Sequence, residues 1–547
     1  MRKIQKLITF ILLIFSMNLF AQKFIDVSDS FDFQLALNYA NANKVDTIYL
    51  TTSGGVYTTT DTNYFNITTP KVIMPRPGLA ERPIFTHSAV DSSVIEIFRV
   101  SNDLTIQGVI FDGSHARTHG MKYALRAGDG PDGFPVHKTG MNIKVKDCIF
   151  RNFYQNKLSS GPGYAVYFLL GVNAGTVIVE DCVIENMGDE AIRMTETEKY
   201  SPINKRCLDT LIVRNTTFTN IDAECVRFYG DVDTSAATTD AYVLVENITI
   251  NNSATRTMYI KNNKNTTVRN VIISNGRLPG ADRADRADYL IQIQLPGSSI
   301  TNVDTFNCVF GPVPSALAIS AVKGGTVDNT SIFGFDPLYV DAANGDLKLT
   351  PESPAYYSGY NNTHLGDGNW ATSTPTVLPL NMTIVGKGTV IYSPDRKGYV
   401  FPANTNVTLT AVPDSNYKFV SWSGDVTSTD ISTSIIVDAF KNVTAAFEIM
   451  TEVNEGANIP VGYSLGQNYP NPFNPATTIE FTLKEKGTTT LKLYDVIGRL
   501  VATVINSELN PGSHIFHFNA SHLASGVYYY KLTSNGFVSI KKMMLVR

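Results

Sequence analysis

The amino-acid sequence predicts an all-β protein whose largest part is a parallel β-helix, and three observations carry that fold class. Nearly the same line recurs five times: IKVKDCIFRN at 143–152, VIVEDCVIEN at 177–186, LIVRNTTFTN at 211–220, VLVENITINN at 243–252 and the shorter TVRNVIISN at 267–275. Every copy ends in asparagine (Asn152, Asn186, Asn220, Asn252, Asn275), with steps of 34, 34, 32 and 23 residues. Apolar and polar residues alternate within each copy, which is the period of a half-buried strand. Repeats of this length with three short strands each stack in one dimension as a β solenoid, whereas ankyrin, tetratricopeptide and leucine-rich units need helical spacing or leucine signatures that are missing.

The remaining elements follow along the chain. With 547 residues, 45 basic and 49 acidic, it is too long for one core and carries no polycation signature, which argues against nucleic acid as a partner. Met1 to Lys6 is basic, Leu7–Phe20 is apolar and Ala21 is small, so residues 1–21 read as a secretory signal peptide, and no other stretch is long enough to span a membrane. A helix is expected over about Phe31–Ala42 behind Asp29 and Ser30 as candidate N-caps, with Phe31, Leu35 and Tyr39 as its apolar stripe. It would cover the open N-terminal end of the solenoid, since an exposed β edge invites aggregation. Strands follow to about residue 350, closing a β-helix domain over 22–370. Val145, Cys148 and Phe150 are expected to point inward, as are Val179, Cys182, Ile184, Val213, Thr216 and Phe218. The shared asparagine is then either inward or turn-facing. Cys148 and Cys182 hold the same repeat position and read as a ladder of small buried residues in preference to a disulfide, while Cys207, Cys225 and Cys308 form no metal-ligand spacing.

Residues 371–377 are rich in Thr and Pro and read as a linker, 378–450 as a separate β unit, 451–462 as a second linker and 463–547 as a small β-sandwich. The unit at 378–450 contains GKGTV, LTAVP, FVSWSG and VTAAF and resembles extracellular modules related to internalin B-repeats. The last segment contains NYPNPFNPATTIEFTL, LKLYDVIGRLV and ASGVYYYKL before a basic end, and resembles the C-terminal sorting domain of type IX secretion. That resemblance implies the type IX machinery as a partner and a protein secreted by, or held on the outer surface of, a Gram-negative bacterium. Asp112-Gly113-Ser114, the repeats and DPLYVDAANGDLKLTPESPAYYSG at 336–359 resemble right-handed β-helix proteins of the pectate-lyase and chondroitinase-B-like group. This fold hosts lyases, hydrolases, esterases and adhesins, so activity has to be argued from a site.

The repeat register places that site. After each asparagine comes a short strand, and aligning these strands gives two apolar inward rows: Val166, Ile192, Val226, Met258, Ile291 and Phe168, Met194, Phe228, Ile260, Ile293. Between them lies an outward row of Tyr167, Arg193, Arg227, Tyr259 and Gln292. At ~4.8 Å per coil the row is roughly 20 Å long, a span for several sugars. Aromatic faces stack on sugar rings and arginines grip carboxylates or sulfates in pairs of hydrogen bonds. Tyr167, Arg193, Tyr259, Gln292 and Arg256 are therefore candidate substrate-binding residues for an acidic polysaccharide. A lyase of such glycans must neutralise the sugar carboxylate and remove the adjacent proton, which makes Arg227, Lys261 and Tyr229 the catalytic candidates. Glu190 and Glu224 precede the two central arginines by three residues and are either their ion-pair partners or, with Asp189 and Asp222, ligands of a Ca²⁺ ion, although Ca²⁺ takes about six or more oxygens. Insertions at 114–140, 155–164, 195–209, 229–241 and 276–288 rim the row; the first carries His115 and His119.

Signatures of the related enzymes are missing. Arg277 to Arg283 is one residue too long for the R-x-P-x-x-R of pectate lyases, the aspartate pair and G-H-G of polygalacturonases do not occur, and Arg256 and Lys261 lack the N-K-S context of the chondroitinase-B family. Two readings remain at this stage: a β-eliminating polysaccharide lyase, or a non-catalytic glycan-binding, adhesion or structural surface protein.

Overall fold

The computed structural model describes residues 24–546 apart from 60–63, 88–95, 114–120, 131–135, 155–161, 170, 196–207, 230–238, 255, 262, 277–289, 295–297, 307, 309–318, 323–325, 329–331, 451–461 and 521–522. The side chains of Phe31, Tyr229, Lys261 and Gln292 also lie outside the described set, as do the signal-peptide segment, His115 and His119. The chain divides into two compact units.

The first unit is a parallel β-helix with three sheets. The first sheet holds Phe24–Val27, Thr47–Leu50, Lys71–Pro75, Leu104–Gln107, Met141–Lys146 and Ala174–Glu180, each strand parallel to the next coil's. The second holds Val56–Thr59, Ile84–His87, Ile110–Asp112, Ile149–Phe153 and Val183–Met187. From Leu208–Ile221 onward single long strands turn the corner and serve both sheets. The third sheet has nine described strands in chain order, from Phe65–Ile67 to Ile319–Val322.

The corner between the first two sheets explains the repeat. Two columns of residues there adopt the left-handed backbone conformation. One is the predicted asparagine column, with φ of 62° at Asn152, 56° at Asn186, 55° at Asn220, 63° at Asn252 and 52° at Asn275. The other lies five residues earlier, at Asp147, Asp181, Asn215, Asn247, Asn270 and Asn302, with φ between 47° and 56°. Asn and Asp tolerate this region far better than other residues with a Cβ. The turn-facing alternative is thus the correct one. Both columns are tied along the solenoid axis: Asn186 donates to Asn152 at 3.0 Å and Asn220 to Asn186 at 2.9 Å, while Asn215 donates to Asp181 at 3.1 Å and Asn247 to Asn215 at 3.0 Å. Replacing Asn215 by Ala is expected to lower stability by about 2 kcal/mol, from left-handed strain plus two lost hydrogen bonds, and Asn215→Gly by about half as much. Denaturant midpoints of the two variants check this difference.

The register also contains copies that side-chain identity hides. Residues 104–112 pair in step with 143–151, so Gly108 (φ 69°) stands where Asp147 stands and Gly113, next along, where Asn152 stands. A Cβ on Gly113 would sit 2.5 Å from the Asn152 carbonyl oxygen. Ile300 and Val303 pair with Val268 and Val271, which adds a further copy around Asn302.

Every residue expected to point inward from the repeats is buried, Thr216 included, and so are both apolar rows of the third sheet. Cys148 and Cys182 are free and buried, each thiol directed at the carbonyl two residues before it. At the N-terminal end the helix runs Ser30–Asn43, capped by Asp29, whose side chain accepts from the Asp32 N–H. Its buried face is Phe33, Ala36, Leu37 and Ala40; Leu35 and Tyr39 are only half-buried, which corrects the predicted stripe. The small alanines let the helix lie close across the open coil, and Phe33 reaches into a cluster with Tyr57, Phe65, Phe85 and Phe98 at ring distances of 4.6–6.1 Å.

At the other end, residues 353–371 lie on the outward face of the second sheet. The Gly366 N–H donates to Asn270 O at 3.1 Å, the Asp367 N–H to Thr249 Oγ1 at 2.9 Å, and the Trp370 indole to Thr217 Oγ1 at 2.6 Å. The stretch 371–377, read as a linker, is fixed in place: the Ser373 N–H donates to Tyr356 Oη at 3.1 Å and Val377 is buried.

The second unit is antiparallel. Gly388–Ser393 pairs with Thr405–Pro413 and Tyr417–Gly424 with Lys441–Ile449, around a fully buried Trp422. Residues 464–545 form two antiparallel sheets over a core that includes Ile479, Leu491, Tyr530 and Leu532.

Candidate functional site

The third sheet brings the predicted outward row together in the expected register: Tyr167 pairs with Arg193, Arg193 with Arg227, Arg227 with Tyr259 and Tyr259 with Gln292. Tyr229 and Lys261 pair with each other one step farther along their strands. The row is longer than the repeats suggested, because Asn66, Arg99 and Arg126 continue it below Tyr167. A sequence signal for Arg99 exists: Glu96-Ile97-Phe98-Arg99 has the Glu-x-apolar-Arg form of Glu190-Ala191-Ile192-Arg193 and Glu224-Cys225-Val226-Arg227. It lies before the asparagine-marked copies and is easily passed over.

Three residues before each row member sits a second column: Glu96, Tyr123, Tyr164, Glu190, Glu224 and Arg256. Glu96, Glu190 and Glu224 are buried. Stacked arginines repel one another unless negative charge lies between them, and these carboxylates supply it. Glu96 contacts Arg99 and reaches Arg126 at 3.3 Å. Glu190 contacts Arg227 and lies 3.5 Å from Arg193. Glu224 accepts from Arg256 at 2.7 Å and lies 4.0 Å from Arg227. Arg99 also meets Asp129 at 2.9 Å. The arginine side chains are 24% exposed at Arg193, 12% at Arg227 and 14% at Arg256. Glu190 and Glu224 thus form the ion pairs of the first alternative, with their oxygens facing guanidinium groups. Among the described residues no three His, Cys, Asp or Glu side chains converge on one position.

Aromatic rings fill the middle of the column. Tyr123, Tyr164 and Tyr167 lie with centroids 4.7–5.3 Å apart, and the Arg193 guanidinium is 5.6 Å from the Tyr167 ring. Arg256 stacks over Tyr259 at 3.7 Å, which joins two predicted binding residues directly. Tyr164 donates to Asp189 at 2.8 Å, and burial together with Glu190 and Asp189 raises its pKa. Burial also raises the Glu190 carboxyl, helped by Asp189 and opposed by Arg193 and Arg227. The wall is thus a fixed, ordered array in which Tyr123, Tyr164 and Tyr167, the last a predicted outward binding residue, are buried and the arginine edges are the more exposed part.

Comparisons with known proteins bear mainly on the C-terminal half. Residues 467–546 match the secretion system C-terminal sorting domain, and residues 378–451 match the divergent InlB B-repeat domain. No curated protein matches the chain. Among solved structures, the enzymatically active domain of bacteriophage CBA120 tailspike protein 4 is similar at 9% identity and a TM-score of 0.30, over 93% of this chain and 66% of that one. The chain thus spans just under two thirds of that structure's length. No helix among the described residues is long and apolar enough to cross a membrane. The protein is a parallel β-helix protein with a divergent InlB B-repeat domain and a secretion system C-terminal sorting domain, secreted through, or attached at, the outer surface of a Gram-negative bacterium.

Proposed function

We propose that the protein engages an acidic polysaccharide along the outward face of the third sheet, and that β-elimination is the reaction this face would carry. The supporting observation is the cross-strand row Arg99, Arg126, Tyr167, Arg193, Arg227, Tyr259, one residue per coil on an exported scaffold. Carboxylates beneath the arginines hold the guanidinium planes in place before a ligand arrives, which reduces the ordering cost of binding. A guanidinium has five donors, so one edge can serve a buried glutamate and another a sugar carboxylate or sulfate. In the elimination Arg227 neutralises the uronate carboxylate, Lys261 or Tyr229 takes the C5 proton, the freed electron pair forms the C4=C5 double bond as the C4–O bond breaks, and the departing oxygen takes up a proton from the same group or from water.

The pairing and low exposure of the arginines favour a second reading, a binding surface without turnover. Retention on alginate, pectate and chondroitin sulfate, together with ultraviolet detection of unsaturated products, separates the two. Arg193→Gln is expected to weaken retention by about tenfold. Lys261→Ala is expected to abolish product and leave retention intact if elimination occurs. Retention without product, unaltered by Lys261→Ala, establishes the binder; no retention on any of the three polymers overturns both readings.

A further inference from the structure

The first sheet carries a separate groove that none of the third-sheet site residues line. Its cavity of about 440 Å³ runs over Asp46, Pro70, Val72, Asp103, Thr105, Asn142, Lys144, Thr176 and Ile178. Val72, Thr105, Lys144 and Ile178 are in direct register on consecutive coils, and Pro70, Asp103, Asn142 and Thr176 precede them by two residues. With Asp46 the groove crosses five coils, roughly 19 Å at the spacing of neighbouring strands. Residues 353–371 cover the second sheet around Thr217, Thr249 and Asn270, and the third sheet bears the arginine array; the first sheet keeps this groove at its surface.

From this geometry we infer a second binding site, for an extended, uncharged, hydroxyl-rich glycan chain. Three observations select that occupant. Main-chain donors and acceptors of the floor are used in the ladders between coils, so an added peptide strand has no backbone to pair with and recognition rests on side chains. Those side chains alternate acceptors and donors: the carboxylates of Asp46 and Asp103, the amide of Asn142, the ammonium of Lys144, and the hydroxyls of Thr105 and Thr176, which have no partner among the described residues. Charge is balanced as well. The lining carries Asp46 and Asp103 against Lys71 and Lys144. Lys144 lies 2.9 Å from Glu180, and Asp103 is held by Lys138 at 2.5 Å and by the Asn142 N–H at 2.8 Å, so a polyanion meets no net positive field here. Val72, Ile178 and Pro70 provide apolar surface for the faces of sugar rings.

This inference is independent of the acidic-glycan reading, because the two sites share no residue. Calorimetric titration of the full chain with a set of neutral oligosaccharides (β-1,4-glucan, β-1,4-mannan and α-1,4-glucan hexamers) tests it against Thr105→Trp and Arg193→Gln. Thr105 faces outward from the middle of the groove, so a Trp there fills the channel without entering the core. Binding of at least one hexamer, weakened at least about tenfold by Thr105→Trp and unchanged by Arg193→Gln, is the expected result. Circular dichroism of Thr105→Trp should match the parent chain. Failure of every hexamer to bind, or binding that Thr105→Trp leaves intact while Arg193→Gln removes it, overturns the second site.

Discussion

Arg227→Ala is expected to lower the stability of the β-helix by about 3–5 kcal/mol, the scale for removing one partner of a buried ion pair. The Arg227 side chain is 12% exposed and stands between Glu190 at 1% and Glu224 at 0%. Without it, two buried carboxylates lose a shared cation and water has little access to replace it. The double variant Arg227→Met with Glu190→Gln should recover most of the loss, since it leaves less charge unmatched. Denaturant titration of parent, single and double variants measures both effects. A loss below about 1 kcal/mol would class the pair with exposed salt bridges and remove the ladder as a stabilising device. The comparison also guards the binding experiments, because Arg193→Gln at a more exposed position probes the ligand surface with less damage to the fold.

The second large effect is a pH dependence of the closing segment. Burial pushes the Asp367 carboxyl up from 3.8 to about 6, against hydrogen bonds from the Asn369 N–H and the Thr217 hydroxyl that hold it down. A carboxyl whose folded pKa lies above its unfolded value binds its proton more tightly in the folded state. Its contribution is therefore complete below about pH 4 and is lost as pH rises through about 6. A shift of about two pH units corresponds to about 3 kcal/mol. Amide protection at Leu365, Gly366 and Asp367, taken relative to the intrinsic exchange rate at each pH, should accordingly be higher at pH 4 than at pH 7, and Asp367→Asn should flatten that difference. Equal protection at both pH values in the parent chain would refute the assignment.

Much of the fold was legible because a solenoid repeats its constraints. The asparagine spacing exposed the coils, the alternation exposed the inward rows, and the alignment on apolar pairs yielded the outward row in its observed register. The second left-handed column carries no single residue type in the sequence, since Asp147 and Asp181 give way to Asn215 while sharing one backbone demand. The copy at 104–113 was hidden for the same reason, with Gly108 meeting that demand without a side chain. The helix stripe is offset from the prediction: Leu35 and Tyr39 are half-buried, while Phe33, Ala36, Leu37 and Ala40 are buried, and only the coil beneath chooses between two stripes that both suit a helix.

The candidate site divides in the same way. Which residues share a column followed from the sequence alone, because parallel in-register stacking converts spacing into adjacency. Whether those columns attract a cation, an anion or each other did not. That depended on burial, which brought Glu190 and Glu224 to the arginines and set their carboxyls in a low-dielectric wall where charge must be matched locally. The groove on the first sheet and the strap over the second are likewise tertiary outcomes, since they depend on which face of each strand another segment covers. Periodicity carries local register, and only the folded chain decides solvent access and charge pairing.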